Sequence, residues 1–381
     1  MTVTVTRTSG PARNILIYLA SIVVQFLNSS TVLAGGHDRM NLGGLERVFS
    51  SDLAVDLGTS NTRLYVRGQG VVLDEPSVVA VDMNGAVQAV GNDAKAMLGR
   101  APGSVQVVRP LRHGVIADFD RTQKMFRYFI NKTRRRWSFV QPRLVIITPA
   151  GITQVERRAV RDAAQQAGAR EVYLVQASMA AALGAGLPVE QPGASMIVDV
   201  GGGTTEVAVM SLCGIVYSES LRVAGDEMNQ AIIHYLRRAY DLLVGERRAE
   251  DAKIRLGSAY PKGDDQEPME VQGRDLLDGL PKTVVVTALE IREALREPVA
   301  DIITAVRACL EHTPPELAAD ISDNGIVLTG GGALLRGLDA LLHHETGLSI
   351  RVTEDPLTCV ARGAGTILDQ LGILKRVAIP A

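Results

Sequence analysis

The sequence predicts an α/β fold with two similar lobes, and two observations lead to that prediction. The segments DLGTSNTRLYV, which starts at Asp56, and DVGGGTTEVAV, which starts at Asp199, share one pattern. In each, an apolar strand ends at the Asp, a glycine turn with Thr or Ser follows, and a second strand begins. Apolar runs of strand length also alternate with segments of helical periodicity along the body of the chain. A duplicated strand–turn–strand unit within such a body indicates two related lobes.

The individual elements follow from periodicity and from local start and stop signals. The first repeat predicts a hairpin of strands 53–57 and 62–66, and the strands at 71–73 and 77–81 are expected to continue the same sheet. Thr153, followed three residues later by Glu156, has the capping-box pattern that begins a helix. Pro298 is expected to interrupt the longest helix, because proline lacks an amide proton. Further strands are expected at 71–73, 77–81, 144–147, 172–175, 196–200, 206–210, 214–219 and 326–328, and helices at 92–98, 122–132, 153–167, 179–185, 225–243 and 290–310.

Composition excludes several classes of protein. Of the 381 residues, 46% are hydrophobic and 22% are charged, which is typical of a globular chain and excludes wholesale disorder. The formal net charge of −2 shows no excess of positive charge, so no nucleic-acid partner is expected. The three cysteines (Cys213, Cys309 and Cys359) are far apart, which argues against a disulfide framework or a zinc site and favours a reducing compartment.

Residues 1–39 form an atypical N-terminal extension. Arg7 and Arg13 precede an apolar run at 15–27, which is short for a membrane helix of ~20 residues. Three interpretations remain open: residues 1–39 are not translated and Met40 is the true start, the extension associates with a membrane from the cytosol, or it is an export signal.

Residues 40–51, MNLGGLERVFSS, form a second distinct segment. Leu42, Leu45 and Phe49 are spaced to share one helical face, with Glu46 and Arg47 opposite. Such a stretch is expected either to lie in a membrane interface or to pack on the body of the protein.

The glycine turns carry the chemistry of the predicted site. A strand that ends at Asp and turns through glycine can aim successive backbone N–H groups at an anion. Asp56 and Asp199, at the two strand ends, are candidates to hold Mg²⁺ through water. One such turn is usually a plain hairpin, but a third cluster at 330–334 precedes a helix and suits a phosphate or nucleoside. The candidate contacts of the two turns are Gly58, Thr59, Ser60 and Asn61 in the first and Gly201, Gly202, Gly203 and Thr204 in the second.

The order of the motifs carries a family resemblance. DLGTSNT, VQASMAAALGAG, IVDVGGGTTEVAV, GERRAEDAK, LTGGGALLRGL and PLTCVARGAG follow one another as in the actin–Hsp70–sugar kinase superfamily, and in detail they resemble the bacterial MreB family of rod-shape proteins. The resemblance covers Asp52 to about Lys375. It implies an actin-like fold of the duplicated ribonuclease H type, with ATP and Mg²⁺ in an interdomain cleft. It also implies self-association into filaments in the cytoplasm, at the inner membrane surface, where they organise the cell-wall synthesis machinery.

The resemblance assigns domains and further site residues. Lobe I is expected at 52–187 plus about 361–381, and lobe II at 188–360. The helix that flanks the nucleoside is matched by Glu250, Asp251, Ala252 and Lys253, and the last nucleotide loop by Gly330, Gly331, Gly332, Ala333 and Leu334.

One departure from the family concerns catalysis. The family has an acidic pair before Pro-Met-Ala-Ala-Ala, and the second acid activates the attacking water, whereas Ala177 stands at that position here. Because losing a general base typically costs 10²–10⁴-fold in rate, hydrolysis is expected to be slow while nucleotide binding is retained. Thr204 and Gln176 remain as catalytic candidates, since a glutamine can orient water in small GTPases. The alternative is that the junction between the strand that ends near Gln176 and the following helix contributes only to packing and has lost its role in hydrolysis.

A second segment of interest is TRRRWSFV at 133–140. Trp137 is the only tryptophan, and Phe139 and three arginines surround it. The family has a membrane-entering hydrophobic loop here, and aromatic and basic residues favour an anionic interface. The alternative is a solvated basic turn with Trp137 tucked into the core.

These features bear on four candidate functions. The first is an ATP-dependent filament protein. A small-molecule kinase of the same fold would need an acceptor pocket with a base and typically a longer chain. A chaperone of the Hsp70 type would need a substrate-binding domain beyond Lys375. A hydrolysis-deficient paralogue that co-assembles with an active filament protein is kept open by Ala177.

Overall fold

The computed structural model describes residues 52–133, 141–261 and 267–379. Among them the strands are β1 (Leu53–Leu57), β2 (Asn61–Val66), β3 (Gly70–Pro76), β4 (Val79–Asp82), β5 (Val87–Val90), β6 (Val105–Val108), β7 (Leu111–Arg112), β8 (Val115–Ile116), β9 (Arg143–Thr148), β10 (Glu171–Gln176), β11 (Ser195–Val200), β12 (Thr205–Ser211), β13 (Gly214–Leu221), β14 (Leu242–Leu243), β15 (Met269–Asp275), β16 (Pro281–Val286), β17 (Ile326–Thr329) and β18 (Ile350–Val352).

The helices alternate with these strands. They are α1 (Asn92–Met97), α2 (Phe119–Thr133), α3 (Gln154–Gln166), α4 (Ala177–Gly184), α5 (Gly225–Tyr240), α6 (Glu246–Leu256), α7 (Ala288–Glu311), α8 (Pro315–Asn324), α9 (Leu338–Thr346), α10 (Cys359–Asp369) and α11 (Leu371–Val377), with a 3₁₀ turn at Gly331–Leu334. None of the helices in the described ranges is long and apolar enough to cross a membrane.

Two five-stranded sheets repeat the same topology. The first has the order β10-β9-β1-β2-β3 and the second the order β13-β12-β11-β17-β18. In both, the first strand in sequence pairs antiparallel with the next strand and parallel with a later one. Asp56 lies opposite Arg63, and Asp199 lies opposite Glu206. The duplication predicted from the two repeats is therefore present as two equivalent sheets.

A layer of small residues separates the two sheets. Ala180, Ala181 and Ala182 of α4 are buried in a core that also takes side chains from β9 and β11. A Cβ atom on Gly184 would overlap the carbonyl oxygen of Cys359, and one on Gly363 would overlap that of Ala180. Helices α4 and α10 therefore cross at backbone contact distance, which only glycine permits at these two positions.

The structure confirms the capping box at Thr153 and Glu156 and corrects two expected elements. Helix α7 runs unbroken through Pro298, because its buried face, with Leu295 and Ile302, continues on both sides of the proline. Strand β4, expected to extend the first sheet, pairs instead with β5 and β6 in a separate three-stranded sheet.

The end of helix α5 is a third correction. The helix stops at Tyr240 and does not continue to 243, since Asp241 adopts a left-handed backbone with φ of 51°. Leu242 and Leu243 then pair with β15 as strand β14. A local backbone reversal and a strand partner distant in sequence therefore override the helical periodicity that predicted a longer helix.

Candidate functional site

A cavity of about 500 Å³ lies where turns from both sheets meet. It is bounded by the first turn (with Asp56), the second turn (with Asp199), helices α5 and α6, and the 3₁₀ turn. Of the residues predicted from sequence, those that line it are Asp56, Gly58, Thr59, Ser60, Asn61, Asp199, Gly201, Gly202, Gly203, Thr204, Glu250, Lys253, Gly330, Gly331, Gly332 and Leu334. The fold thus brings segments from four parts of the chain around one space.

Three predicted contacts do not line the cavity, and the reason is periodicity. Glu250 and Lys253 are three residues apart, so they share the face of α6 that borders the cavity. Ala252 is buried in the second core, which is the hydrophobic core that packs on the second sheet, and Asp251 does not border the cavity either. Ala333 is likewise buried in that core, beneath the 3₁₀ turn. A motif that is a continuous run of residues does not show which of its side chains face the cavity.

The two glycine turns touch each other at the cavity floor. A Cβ atom on Gly203 would lie 2.5 Å from Thr59 Oγ1, and one on Gly202 would overlap Ser60 Oγ. The Gly114 N–H donates a hydrogen bond of 2.8 Å to Thr59 Oγ1. Since neither position of the second turn can accept a side chain, the backbone of that turn approaches the first turn as closely as sterics allow.

Two carboxyl groups, Asp199 buried and Asp56 partly buried, face the cavity from the strand ends. Burial raises the pKa of Asp56 to about 6, and Arg63, whose Nη1 lies 3.8 Å from Asp56 Oδ2, opposes that rise. Burial, followed by repulsion from Asp56 and Glu206, raises the pKa of Asp199 to about 7. A divalent cation between these groups would stabilise their charged forms against burial and would remove their mutual repulsion, so the pair fits the predicted Mg²⁺.

The remaining ligands of such a cation would be water and phosphate oxygens. Within the described ranges no cluster of three or more His, Cys, Asp or Glu side chains is placed to hold a metal. That donor set suits Mg²⁺, which keeps several waters and is commonly bound by one or two carboxylates together with substrate phosphates.

The raised pKa values predict how stability responds to pH and Mg²⁺. A carboxyl group whose pKa is higher in the folded state destabilises the fold above that pKa, and the penalty disappears as the pH falls toward the unfolded value near 4. Without nucleotide, Asp199→Asn should therefore stabilise the protein by about 1–3 kcal/mol at pH 8, by less than half of that at pH 5 and hardly at all near pH 4. Thermal unfolding measures this, and Mg²⁺ should raise the unfolding temperature of the parent more than that of the variant.

Asp323→Asn, at an exposed position on α8, is the matched control and should respond to neither change. Equal unfolding temperatures for Asp199→Asn and the parent at pH 8, or a Mg²⁺ response kept in full by the variant, would contradict the assignment.

Helix α6 and the residues near it bring one cation and apolar side chains to the cavity, close to the second glycine turn. Lys253 Nζ donates a hydrogen bond of 2.7 Å to the Gly225 carbonyl oxygen, and burial lowers the pKa of Lys253. Ile254 and Leu335 border the same region. This arrangement suits a flat apolar ring attached to a polar sugar.

Several lining residues escaped the sequence reasoning. Gly114 forms a tight turn with φ of 75°, and Asn229 on α5 borders the cavity with a buried Oδ1 that lacks a hydrogen-bond partner. Gly114 stood outside any glycine cluster, so no local signal marked it. Asn229 was detectable only as a polar residue on the apolar face of a predicted helix.

The corner where catalysis was expected lacks the usual acid. Ala177 lines the cavity, as do Thr148 and Thr204, whereas Gln176, the residue before α4, does not. Glu206 is near in sequence to Thr204, but its carboxylate accepts hydrogen bonds from Ala150 N–H (3.2 Å) and Ser220 Oγ (2.6 Å) and does not border the cavity. The predicted membrane residues Leu42, Leu45, Phe49, Trp137 and Phe139 lie outside the described residues.

Comparison with known proteins decides the family. The family model described as MreB/Mbl protein matches residues 50–376. The chain belongs to the MreB/Mbl family. Cell shape-determining protein MreB of Escherichia coli (strain K12) is 56% identical over 331 residues, which cover 85% of this chain and 95% of that protein. Cell shape-determining protein Mbl of Bacillus subtilis (strain 168) is 48% identical over 330 residues, which cover 86% and 99%.

Solved structures of similar proteins confirm the predicted actin-like fold. MreB5 of Spiroplasma citri, solved with ADP, superimposes with a TM-score of 0.80 at 36% identity and covers 86% of this chain and 98% of its own. The same protein was also solved with AMPPNP, with a TM-score of 0.81. The MamK double helical filament, at 20% identity and a TM-score of 0.70, shows the same fold.

Proposed function

We propose that this protein is an ATP-binding, actin-like filament protein of the cell-shape cytoskeleton. The observation that carries the proposal is the cavity between two repeated sheets, where the two glycine turns meet over a pair of carboxyl groups. The curated relatives, named as cell shape-determining proteins, support the role in shape. The relative solved with ADP and with AMPPNP supports a nucleotide as the ligand.

The residues that would hold the nucleotide divide into three groups. The turns around Thr59 and Gly203 present backbone N–H groups and hydroxyls to the phosphates, and Asp56 and Asp199 accept the Mg²⁺ with its waters. Lys253 and Glu250 border the nucleoside. ATP supplies a phosphoanhydride bond whose cleavage can time assembly and disassembly. The proposed lobes, 52–187 plus about 361–381 and 188–360, each contain one of the two sheets.

Slow hydrolysis is part of the proposal. Ala177 borders the cavity at the position where the family carries an acid, and alanine has no atom that accepts a proton. Thr204, which lines the cavity, is the first remaining candidate to position a water, and Gln176, which precedes Ala177 but does not line the cavity, is the second. The same observation favours a second candidate function, a hydrolysis-deficient paralogue that binds ATP and co-assembles with an active filament protein.

The proposed location is the inner face of the cell membrane, together with the cell-wall synthesis machinery. Trp137 and Phe139, flanked by arginines, and the apolar face of Leu42, Leu45 and Phe49 are the proposed membrane contacts. Aromatic side chains favour the interface, and each basic residue near anionic lipid contributes ~1 kcal/mol.

Electron microscopy of the full-length chain on phosphatidylglycerol vesicles tests the filament and the membrane contact together. With ATP and Mg²⁺ we expect filaments lying on the vesicles. Trp137→Ala combined with Phe139→Ala should reduce vesicle co-sedimentation several-fold while filaments still form in solution, and salt should weaken binding because it screens the arginines. Met83→Ala combined with Val155→Ala, at two exposed apolar positions of the described residues, is the control.

The outcomes separate the parts of the proposal. Filaments that form only when an active family member is added would favour the co-assembling paralogue. An absence of filaments under both conditions would overturn the filament function. Vesicle binding unaffected by both the aromatic substitutions and salt would overturn the membrane contact alone.

A further inference from the structure

Five charged residues form a cluster at the rim of the cavity, and they come from its two sides. Lys95 on α1 and Arg109, directly after β6, belong to the small unit of α1 and the sheet β5-β4-β6, which joins the first sheet's core through β4 and β5. Asp226 lies in the first turn of α5, and Glu246 and Glu250 lie on α6, which packs on the second core. We call these five residues the cross-cleft cluster.

Arg109 is the centre of the cross-cleft cluster. Its Nη2 lies 2.8 Å from Glu246 Oε1, and its Nη1 lies 3.4 Å from Asp226 Oδ1, a residue 117 positions away in sequence. Lys95 Nζ lies 3.9 Å from Glu250 Oε2. One guanidinium group therefore bridges the N-terminal ends of two helices, and its planar shape suits two acids at once.

The cluster is joined directly to the binding site. Asp226 and Glu250 line the cavity, and the Asp226 N–H donates a hydrogen bond of 2.7 Å to the carbonyl oxygen of Gly202 in the second glycine turn. Lys253 reaches the carbonyl of Gly225, the residue before Asp226. A shift of Asp226 would therefore move the second glycine turn through Gly202, and it would also move Lys253 through Gly225.

The ion pairs of Arg109 are partly shielded from solvent. Its side chain is 21% exposed, against 25% for Asp226 and 32% for Glu246, so water and salt screen these pairs less than pairs on an open surface. Burial raises the pKa of Asp226, Arg109 opposes that rise, and the neighbouring Glu246 and Glu250 add to it. Without Arg109, the acids Asp226, Glu246 and Glu250 would repel one another at the rim. This repulsion would decrease if the two helix ends moved apart and water entered between them.

We propose that Arg109 is a latch across the mouth of the cavity: by holding Asp226 and Glu246 it keeps the two sides of the cleft together and slows the release of bound nucleotide. Arg109 does not line the cavity, so it acts through Asp226 and the helix ends as a positioning residue. The effect on nucleotide release rests on the proposed ATP function, whereas the effect on cleft opening does not.

Charge exchange in the full-length protein tests the latch. Arg109→Glu and Glu246→Arg, singly and together, are compared by stopped-flow release of a fluorescent methylanthraniloyl-ATP chased with excess ATP. Each single change should raise the dissociation rate about tenfold or more, because it places like charges at the rim. The double variant restores the pair between positions 109 and 246 but leaves like charges between position 109 and Asp226, so its rate should fall well below that of either single variant without returning fully to the parent's. Arg158→Glu, which breaks an exposed pair with Asp162 on α3, is the matched control and should leave the rate unchanged.

A second measurement needs no nucleotide. Met83 (86% exposed) lies in the turn after β4 and Leu277 (81% exposed) in the turn after β15, one on each side of the cleft. Spin labels on Met83→Cys and Leu277→Cys report the distance between them, and the three native cysteines are buried. Arg109→Glu should lengthen or broaden that distance, and adding Glu246→Arg should reverse part of the change.

The outcomes are distinct. An unchanged distance in Arg109→Glu, or a double variant that behaves as the sum of the two singles, would overturn the latch whether or not ATP binds. A distance that responds as expected in a protein that binds no ATP would support the latch and overturn the proposed ligand.

Discussion

Ala177→Glu is expected to raise the rate of ATP hydrolysis by an order of magnitude or more. Ala177 borders the cavity, as do Thr148 and Thr204, so a carboxylate at this position would enter the space where a water can be activated. A positioned general base is worth 10²–10⁴-fold, or ~3–5 kcal/mol of barrier. Affinity for ATP draws on the glycine turns and should change little. Steady-state phosphate release measures the effect, and filament lifetimes should shorten with it.

The control for this change is Ala177→Gln, which adds a side chain of the same length that cannot act as a base. It should give a much smaller increase than Ala177→Glu. Gln176 supplies the rival explanation, because it lies at the start of α4 next to the altered position. A parent protein with brisk turnover that is lost in Gln176→Ala and not improved by Ala177→Glu would show that the site has been rewired around the glutamine.

Gly203→Val is expected to lower the affinity for ATP by at least a hundredfold. The first carbon of any side chain at this position would lie 2.5 Å from Thr59 Oγ1 and 2.8 Å from two further Thr59 carbons, so the two glycine turns would be forced apart. Backbone N–H groups that converge on an anion lose their joint geometry when the turn moves. Calorimetric titration with ATP and Mg²⁺ measures the loss, and filament formation should disappear with it.

Gly103→Val is the matched control, since a Cβ atom there meets nothing within 4 Å. It should bind ATP as the parent does. Circular dichroism separates lost binding from lost folding: Gly203→Val should keep the parent's helical signal. If that variant bound ATP as tightly as the parent, the assignment of the second turn to the phosphates would be wrong.

The sequence alone determined the two turns, their Asp residues and the family, because each depends on residues adjacent in the chain. An apolar run that ends in Asp and turns through glycine has few backbone solutions, and both copies form the expected hairpins. The capping box at Thr153 is also local, since its two partners are three residues apart. The order of such local motifs along the chain was sufficient to indicate the MreB family, and it agrees with the family match over residues 50–376.

Tertiary structure decided what depends on burial and on distant partners. Pro298 stays inside a helix because packing on both sides of it outweighs one missing hydrogen bond. The motif does not distinguish Asp251 from Lys253, and only the direction in which the helix face points brings Lys253, and not Asp251, to the cavity. The raised pKa of Asp199 requires its burial next to Asp56, and the contact of Arg109 with Asp226 joins residues 117 positions apart. Electrostatic and steric interactions depend on distance in space, and a chain that folds back on itself creates distances that local sequence does not encode.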